Sequence, residues 1–160
     1  MNFPSRGRHP TGAGFLLAQV GALGARLFAA RIAALGLRPP QSGLLRAIAR
    51  EPGRSQNEIA DQLGVAPSRV VVLVDELEAD GLVERQHSRT DRRRRVVQLT
   101  DKGRAAMAGL VGAAADHEDE LCAPLSPDQR RTLAELLETI ATHHGLAPGV
   151  HPGFQDGVRG

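Results

Sequence analysis

The sequence predicts a mainly helical chain that carries one small β-hairpin. Through most of residues 11–144 the apolar side chains recur at the spacing of an amphipathic helix. All four aromatic residues are Phe, so Leu, Val, Ile and Ala must build the core, and this composition favours helices. The clearest β pattern is residues 82–99, where two short β-type runs flank an arginine-rich tip.

The first predicted helix spans about residues 11–35 and follows a segment, residues 1–10, that reads as a flexible arm. Its apolar positions are Leu16, Val20, Leu23 and Leu27, and small residues fill much of the remainder. A helix that is apolar all round is not the surface helix of a monomer, so we expect it to pack in a dimer. Gln19, Arg26 and Arg31 interrupt the apolar stretch, which argues against a membrane span.

The second predicted helix begins at Pro39-Pro40, after the capping Gly36, and runs to about Arg50. The turn Glu51-Pro52-Gly53 follows it. Apolar residues of this helix should join the core.

A helix-turn-helix pattern comes next. Ser55 and Glu58 form a capping box that opens a short helix, and Gly64 supplies the sharp turn. Pro67 suits the first position of the following helix, which should reach about Asp80. Its inward face is Val70, Leu73, Val74 and Leu77, spaced at i, i+3, i+4 and i+7. This helix holds the position of a recognition helix.

The tip of the predicted hairpin, residues 88–95, contains five arginines and the single acid Asp91. Such a tip cannot be buried, because desolvating unpaired guanidinium groups costs too much free energy. It must face water or an anion. A solvated basic loop would explain the charge alone, but the helix-turn-helix directly upstream favours a wing. We therefore predict a winged helix-turn-helix.

Two further helices are predicted after the hairpin. Thr100 caps the first, which runs to about Leu121, and Ser126 caps the second, which runs to about His143. The Gly- and Pro-rich remainder reads as a loose tail. The predicted organisation is therefore a flexible arm at 1–10, dimerisation helices at 11–37 and 100–144, a winged helix-turn-helix at 38–99, and a flexible tail at 145–160.

Three stretches carry a resemblance to a known family. The residues at 91–103, DRRRRVVQLTDKG, resemble the wing signature of the MarR family, which is DRR followed by a few residues and LTxxG. Upstream, the segments 35–41, LGLRPPQ, and 58–65, EIADQLGV, resemble the family's LGLTPPQ and ELAxxLGV. The similarity covers about residues 15–142 in the same order and at the same spacing, so the chain is identified as a member of this family.

The resemblance implies a homodimeric transcriptional regulator, most often a repressor, that binds a near-palindrome in double-stranded DNA. The recognition helix would enter the major groove and the wing tip the adjoining minor groove, where a guanidinium is easily desolvated. The family's Asp-x-Arg pair maps onto Asp91 and Arg93. The residues expected to contact DNA are Ser55, Gln56, Pro67, Ser68, Arg69, Val72, Arg89, Asp91, Arg92 and Arg93.

The recognition helix departs from the family pattern. Many relatives carry Ser or Thr and Arg where this chain has Val71 and Val72. Two exposed valines can touch thymine methyl groups but cannot read a donor–acceptor pattern. Alternatively, a partner protein covers them, and the winged helix then serves as an interaction module with weak DNA binding.

The resemblance also implies release from DNA by a small aromatic or phenolic ligand. We expect its pocket where the first helix, the helix from Pro40 and the helix from Thr100 meet. Its walls would be aliphatic and would include Phe15 or Phe28, with Gln41 or Arg46 as a polar anchor.

Other function classes have little support in the sequence. Cys122 is the single cysteine, which excludes an internal disulfide, fits a reducing cytoplasm and leaves a redox-responsive regulator as the alternative. His117 lies among four acids, a pattern more typical of a solvated helix face than of a metal site. Residues 1–10 contain no apolar run and are not expected to be a signal peptide. Because no catalytic triad or phosphate-binding loop is recognisable, we expect no enzyme activity, no cofactor and no membrane association.

Overall fold

The computed structural model describes residues 12–147, 149–150 and 154, and it confirms the mainly helical class with one hairpin. The elements in chain order are α1 Ala13–Ala33, α2 Pro39–Arg50, α3 Gln56–Leu63, α4 Pro67–Ala79, β1 Val83–His87, β2 Arg95–Leu99, α5 Asp101–Leu121 and α6 Pro127–His143. The two strands are antiparallel, and their register pairs Val83 with Leu99 and His87 with Arg95. The predicted arm at 1–10 lies outside the described residues.

Local sequence signals determine how the helix-turn-helix begins and turns. The Ser55 hydroxyl accepts a hydrogen bond from the Glu58 backbone N–H, while the Glu58 carboxylate accepts one from the Ser55 N–H at 2.7 Å. Gly64 adopts φ +68°, a left-handed conformation that other residues rarely take. The predicted capping box and sharp turn are therefore confirmed.

One core lies beneath α2, α3, α4 and the hairpin. The predicted inward face of α4, which is Val70, Leu73, Val74 and Leu77, is buried there. Leu44, Leu45 and Ile48 of α2 pack into the same cluster, together with Val83 and Val97 of the two strands. The core therefore fixes the hairpin against the helix-turn-helix.

The helices α1 and α6 leave their apolar faces uncovered in one chain. In α6 no residue is buried, and Leu133, Leu136, Leu137 and Ile140 are 37–58% exposed. In the first half of α1 the side chains of Phe15, Leu16, Leu17, Val20 and Leu23 are similarly exposed. Large contiguous apolar surfaces of this kind mark interaction sites.

By length and composition alone, α1 is long and apolar enough to cross a membrane. Its second half instead packs on α5. There Arg31 forms a salt bridge with Glu120 at 2.5 Å, Ile32 is fully buried, and the ring of Phe28 lies 5.5 Å from that of His117.

Of the predicted tail at 145–160, the structure describes residues 145–147, 149–150 and 154. Phe154 is 1% exposed and belongs to the core cluster, and Val150 packs against the same cluster. Full burial of such a ring is worth about 1.5–3 kcal/mol, which favours docking of this residue on the core. The guanidinium carbon of Arg69 lies 5.6 Å from the centroid of the Phe154 ring.

Candidate nucleic-acid interface

The N-terminal half of α4 is a surface available for contact. Pro67 occupies the first turn, Ser68 is exposed, and Arg69 is partly exposed beside the Phe154 ring. Val71 and Val72 are 37% and 56% exposed, on the side opposite the buried face. The sequence therefore located the accessible residues of this helix correctly.

The hairpin tip is shaped by hydrogen bonds to its own backbone. The Asp91 carboxylate accepts a hydrogen bond from the Arg93 N–H at 2.9 Å, and the Asp91 carbonyl accepts one from the Arg94 N–H at 3.0 Å. The Ser88 N–H donates to the Arg94 carbonyl at 2.8 Å and closes the loop. Asp91 therefore holds the loop conformation that carries Arg93.

The wing arginines differ in what surrounds them. Arg94 pairs with Glu58 at the start of α3. Arg89, Arg92 and Arg93 are exposed, and within the part of the chain that the structure describes no salt bridge involves them. These three guanidinium groups at the tip are thus available to an anion such as a phosphate.

Arg85 braces the wing against both helices of the helix-turn-helix, and sequence reasoning missed it. Its guanidinium pairs with Asp75 and Glu78 of α4 and donates to the Gln56 side-chain oxygen at 2.6 Å. Partial burial alone would lower the pKa of Arg85, but the hydrogen bonds that its guanidinium donates to Asp75 and Glu78 outweigh this effect and raise that pKa. The i,i+3 spacing of Asp75 and Glu78 could have indicated an ion pair from the sequence, but it did not identify Arg85 as the partner.

Glu58 makes a second link between the wing and the helices. Its carboxylate accepts from the backbone N–H and hydroxyl of Ser55 and pairs with Arg94. The Ser55 backbone hydrogen bond, the Ser55 hydroxyl and then Arg94 lower the pKa of Glu58 from 4.5 to about 2. Ser55 therefore caps α3. A contact between Ser55 and DNA must use hydrogen-bonding capacity that the cap does not already engage.

We expect the contribution of Glu58 to stability to be lost in acid. Because its pKa is lowered on folding, the contribution is complete above about pH 4.5 and disappears as the pH falls toward 2. Urea unfolding of wild type and Glu58→Gln should show a difference in the free energy of unfolding that shrinks over this window. In Arg94→Gln the total contribution should be smaller and its loss should be complete at a higher pH, since one cause of the lowered pKa of Glu58 is gone. A difference that stays constant from pH 6 to 2.5 would contradict this role.

The predicted DNA contacts thus form three groups. Ser55 and Gln56 lie at the start of α3 and are engaged by Glu58 and Arg85. Pro67, Ser68, Arg69 and Val72 lie on the first two turns of α4. Arg89, Asp91, Arg92 and Arg93 lie at the wing tip.

A cavity of about 450 Å³ opens between α2, β2 and α5. Its lining residues are Ile48, Ala49, Pro52, Gln98, Leu99, Arg104, Met107, Ala108 and Val111. The predicted pocket shared α2 and α5 with this cavity but placed α1 where β2 lies. Arg104 is its charged residue, and Nη1 of Arg104 donates to the Leu99 carbonyl at 2.8 Å.

None of the four predicted pocket residues lines this cavity, and their part in ligand binding stays a prediction. Gln41 is buried as a helix cap, accepting from the Arg38 N–H at 3.0 Å and donating to Glu76 at 3.2 Å. Phe28 packs against His117, while Phe15 and Arg46 are exposed. The cavity is lined by the first half of α5, whereas Phe28 and Arg31 of α1 pack on the second half of that helix.

Cys122 is buried at the end of α5. Burial, and then Glu118, raise the pKa of its thiol, which disfavours the reactive thiolate. Among the described residues no group of three or more His, Cys, Asp or Glu side chains could hold a metal ion.

Comparison with known proteins agrees with this geometry. A model of the MarR family matches residues 35–94. A putative transcriptional regulatory protein for the hcr operon of Thauera aromatica is 36% identical over 113 residues, which cover 71% of this chain and 68% of that protein.

Two solved structures share the fold. The transcriptional repressor CouR bound to a 23-mer DNA duplex has a TM-score of 0.70 and 38% identity, covering 81% of this chain and 92% of that one. CouR from Rhodococcus jostii RHA1 bound to p-coumaroyl-CoA has a TM-score of 0.68 and 27% identity, covering 82% and 92%. The chain is thus a winged helix-turn-helix transcriptional regulator. It belongs to the MarR family.

Proposed function

We propose that this regulator is a cytoplasmic repressor that binds a near-palindromic operator as a homodimer. The observation that carries the proposal is the joint presentation of two surfaces, the start of α4 and a wing tip whose exposed arginines include Arg89, Arg92 and Arg93. Arg85 and Glu58 hold these surfaces in one rigid unit. Neutralising phosphates supplies affinity, while base-edge contacts by the recognition helix supply specificity.

The dimer follows from the uncovered faces of α1 and α6. Each chain exposes an apolar stripe on both helices, and pairing with a second copy would remove both stripes from water. A two-fold axis would then set two winged helices side by side, as a palindrome requires.

We expect a dimer at micromolar concentration in light scattering, and Leu136→Glu should weaken it because that side chain sits in the uncovered stripe of α6. After selection of bound sequences from a random DNA pool, footprinting should protect two half-sites about 10 base pairs apart. A monomer, or protection of one isolated half-site, would overturn the proposed assembly.

The cavity between α2, β2 and α5 supports release by a ligand. Its apolar walls with Arg104 and Gln98 at the edge suit a small aromatic acid. Because the cavity joins α5 to the base of the wing, an occupant would alter the angle between the dimerising helices and the DNA-binding unit. The structural neighbour CouR was solved with p-coumaroyl-CoA, in which an aromatic acyl group is joined to coenzyme A.

Two rival functions have distinct tests. A redox-responsive regulator requires that Cys122→Ser abolish oxidant-dependent release, and the buried thiol with its raised pKa argues against it. A winged-helix interaction module predicts little binding to any DNA at low salt, and the exposed Val71 and Val72 are its support.

A further inference from the structure

The recognition helix presents an apolar patch where contact with base edges would take place. Val71 and Val72 are exposed on consecutive positions of α4, one turn after the exposed Ser68. Exposed valines in mid-helix add nothing to helix propensity, because β-branched side chains are weaker helix formers than alanine. Their exposure therefore calls for a partner surface with matching chemistry.

The other functional groups on this side of α4 are already engaged. Asp75 and Glu78 pair with Arg85, and Glu76 pairs with Arg38. In these ion pairs two guanidinium groups engage three carboxylates of the second half of the helix. Arg69 lies over the Phe154 ring. The exposed side chains of the first half are Pro67, Ser68, Val71 and Val72, and of these Ser68 alone carries a hydrogen-bonding group.

Only one base offers an apolar group in the major groove of DNA. Thymine carries its C5 methyl there, whereas the other bases present hydrogen-bond donors, acceptors or a bare ring edge. A valine methyl packed on the thymine methyl removes apolar surface from water on both sides. Against the polar edge of a purine, the same valine would cover an acceptor or donor without replacing its hydrogen bond.

We propose that Val71 and Val72 form a thymine-methyl reading surface, through which the recognition helix selects thymines in each half-site. The proposal rests on the proposed function, since α4 must enter a major groove. At the base pairs that face Val71 and Val72, the regulator recognises DNA by shape and apolar contact. Val72, the more exposed of the two, makes the larger contribution.

Uracil substitution isolates this contact. In the operator obtained from a random pool, each thymine facing α4 is replaced by deoxyuridine, which keeps every hydrogen-bonding group and lacks only the methyl. We expect affinity to fall about fourfold for each methyl that Val72 covers. Thymines beneath the wing tip are the matched control, because the minor groove displays no methyl group and uracil there should change nothing.

The Val72→Ala variant, tested on the thymine and uracil operators, completes a double-mutant cycle. Alanine is the best helix former and Val72 is exposed, so this variant keeps the fold, which its unfolding curve can verify. It should bind the thymine operator more weakly than wild type and lose its sensitivity to uracil at the same position. Such non-additive behaviour identifies a direct contact.

The possible outcomes distinguish failure of the thymine-methyl reading surface from failure of the proposed function. Wild-type protein that binds thymine and uracil operators equally overturns the methyl-reading surface while leaving the regulator intact. Val72→Ala with unchanged DNA affinity also overturns it, and fits a valine patch covered by a protein instead. Failure to bind any DNA overturns the proposed function itself, and this inference with it.

Discussion

Replacing Gly103 with alanine is expected to destabilise the fold by about 3 kcal/mol or more. A Cβ atom at this position would lie 1.9 Å from the Leu82 carbonyl oxygen and 3.4 Å from Cβ of Leu99. The nearest obstacle is backbone, which cannot rotate aside as a side chain can. The start of α5 would therefore have to move away from the junction between α4 and β1.

That movement would break a cluster of hydrogen bonds. The Thr100 hydroxyl donates to the Gly81 carbonyl at 2.6 Å, the Thr100 N–H donates to the Leu82 carbonyl at 3.1 Å, and Lys102 donates to the Asp80 carbonyl at 2.6 Å. This close approach is the physical reason for glycine in the LTDKG segment at 99–103.

Urea unfolding at fixed protein concentration measures the effect. Gly112→Ala is the matched control in the same helix, since a Cβ there has nothing within 4 Å. It should be neutral or stabilise by up to about 1 kcal/mol, because alanine favours the helix. Equal urea midpoints for wild type and Gly103→Ala would refute the close approach of Gly103 to the Leu82 carbonyl.

Arg93→Ala is expected to lower operator affinity by roughly tenfold or more, corresponding to a contact of about 1–3 kcal/mol. Asp91 orients the backbone that carries this exposed guanidinium, which suits insertion into a narrow minor groove. Because groove width depends on A·T content, the variant should also lose its preference at the outer base pairs of the operator. Gel-shift titration against operators altered at those positions measures both effects.

Arg89→Ala is the control within the same loop. We expect a phosphate contact there, so all sequences should weaken alike and the salt dependence of log K should become shallower by about one unit. Arg69→Ala should instead relax preference nearer the centre of each half-site. Identical, small and sequence-blind losses for Arg93→Ala and Arg89→Ala would mean that the tip is merely a charged surface.

The sequence alone predicted the helices and strands and their approximate boundaries, because the signals that begin and end them act locally. Helix caps such as Ser55 and Thr100, the glycine turn at Gly64 and the proline at Pro67 act within one turn of the chain. The i, i+3, i+4 pattern likewise identified the buried face of α4 before any neighbour was known. The family resemblance then mapped an Asp-x-Arg pair onto Asp91 and Arg93.

Only the tertiary structure decided which distant groups meet. The links from Arg85 to Asp75 and Gln56, and from Arg94 to Glu58, join residues up to 36 positions apart. Their pairing depends on how the hairpin lies on the helices, and no local spacing encodes that angle. Likewise, only the structure shows that Gln41, a predicted polar anchor of the ligand pocket, caps its own helix by accepting from the Arg38 N–H.

The burial of Phe154 is the clearest example of a contact that the sequence did not predict. This residue lies in a Gly- and Pro-rich segment, and its ring is buried in the core beside Arg69. A single aromatic ring can dock wherever the folded surface offers it a matching hollow, and that hollow exists only after the helices have packed. Local geometry and periodicity are thus determined by the sequence itself, whereas long-range complementarity emerges from the assembled fold.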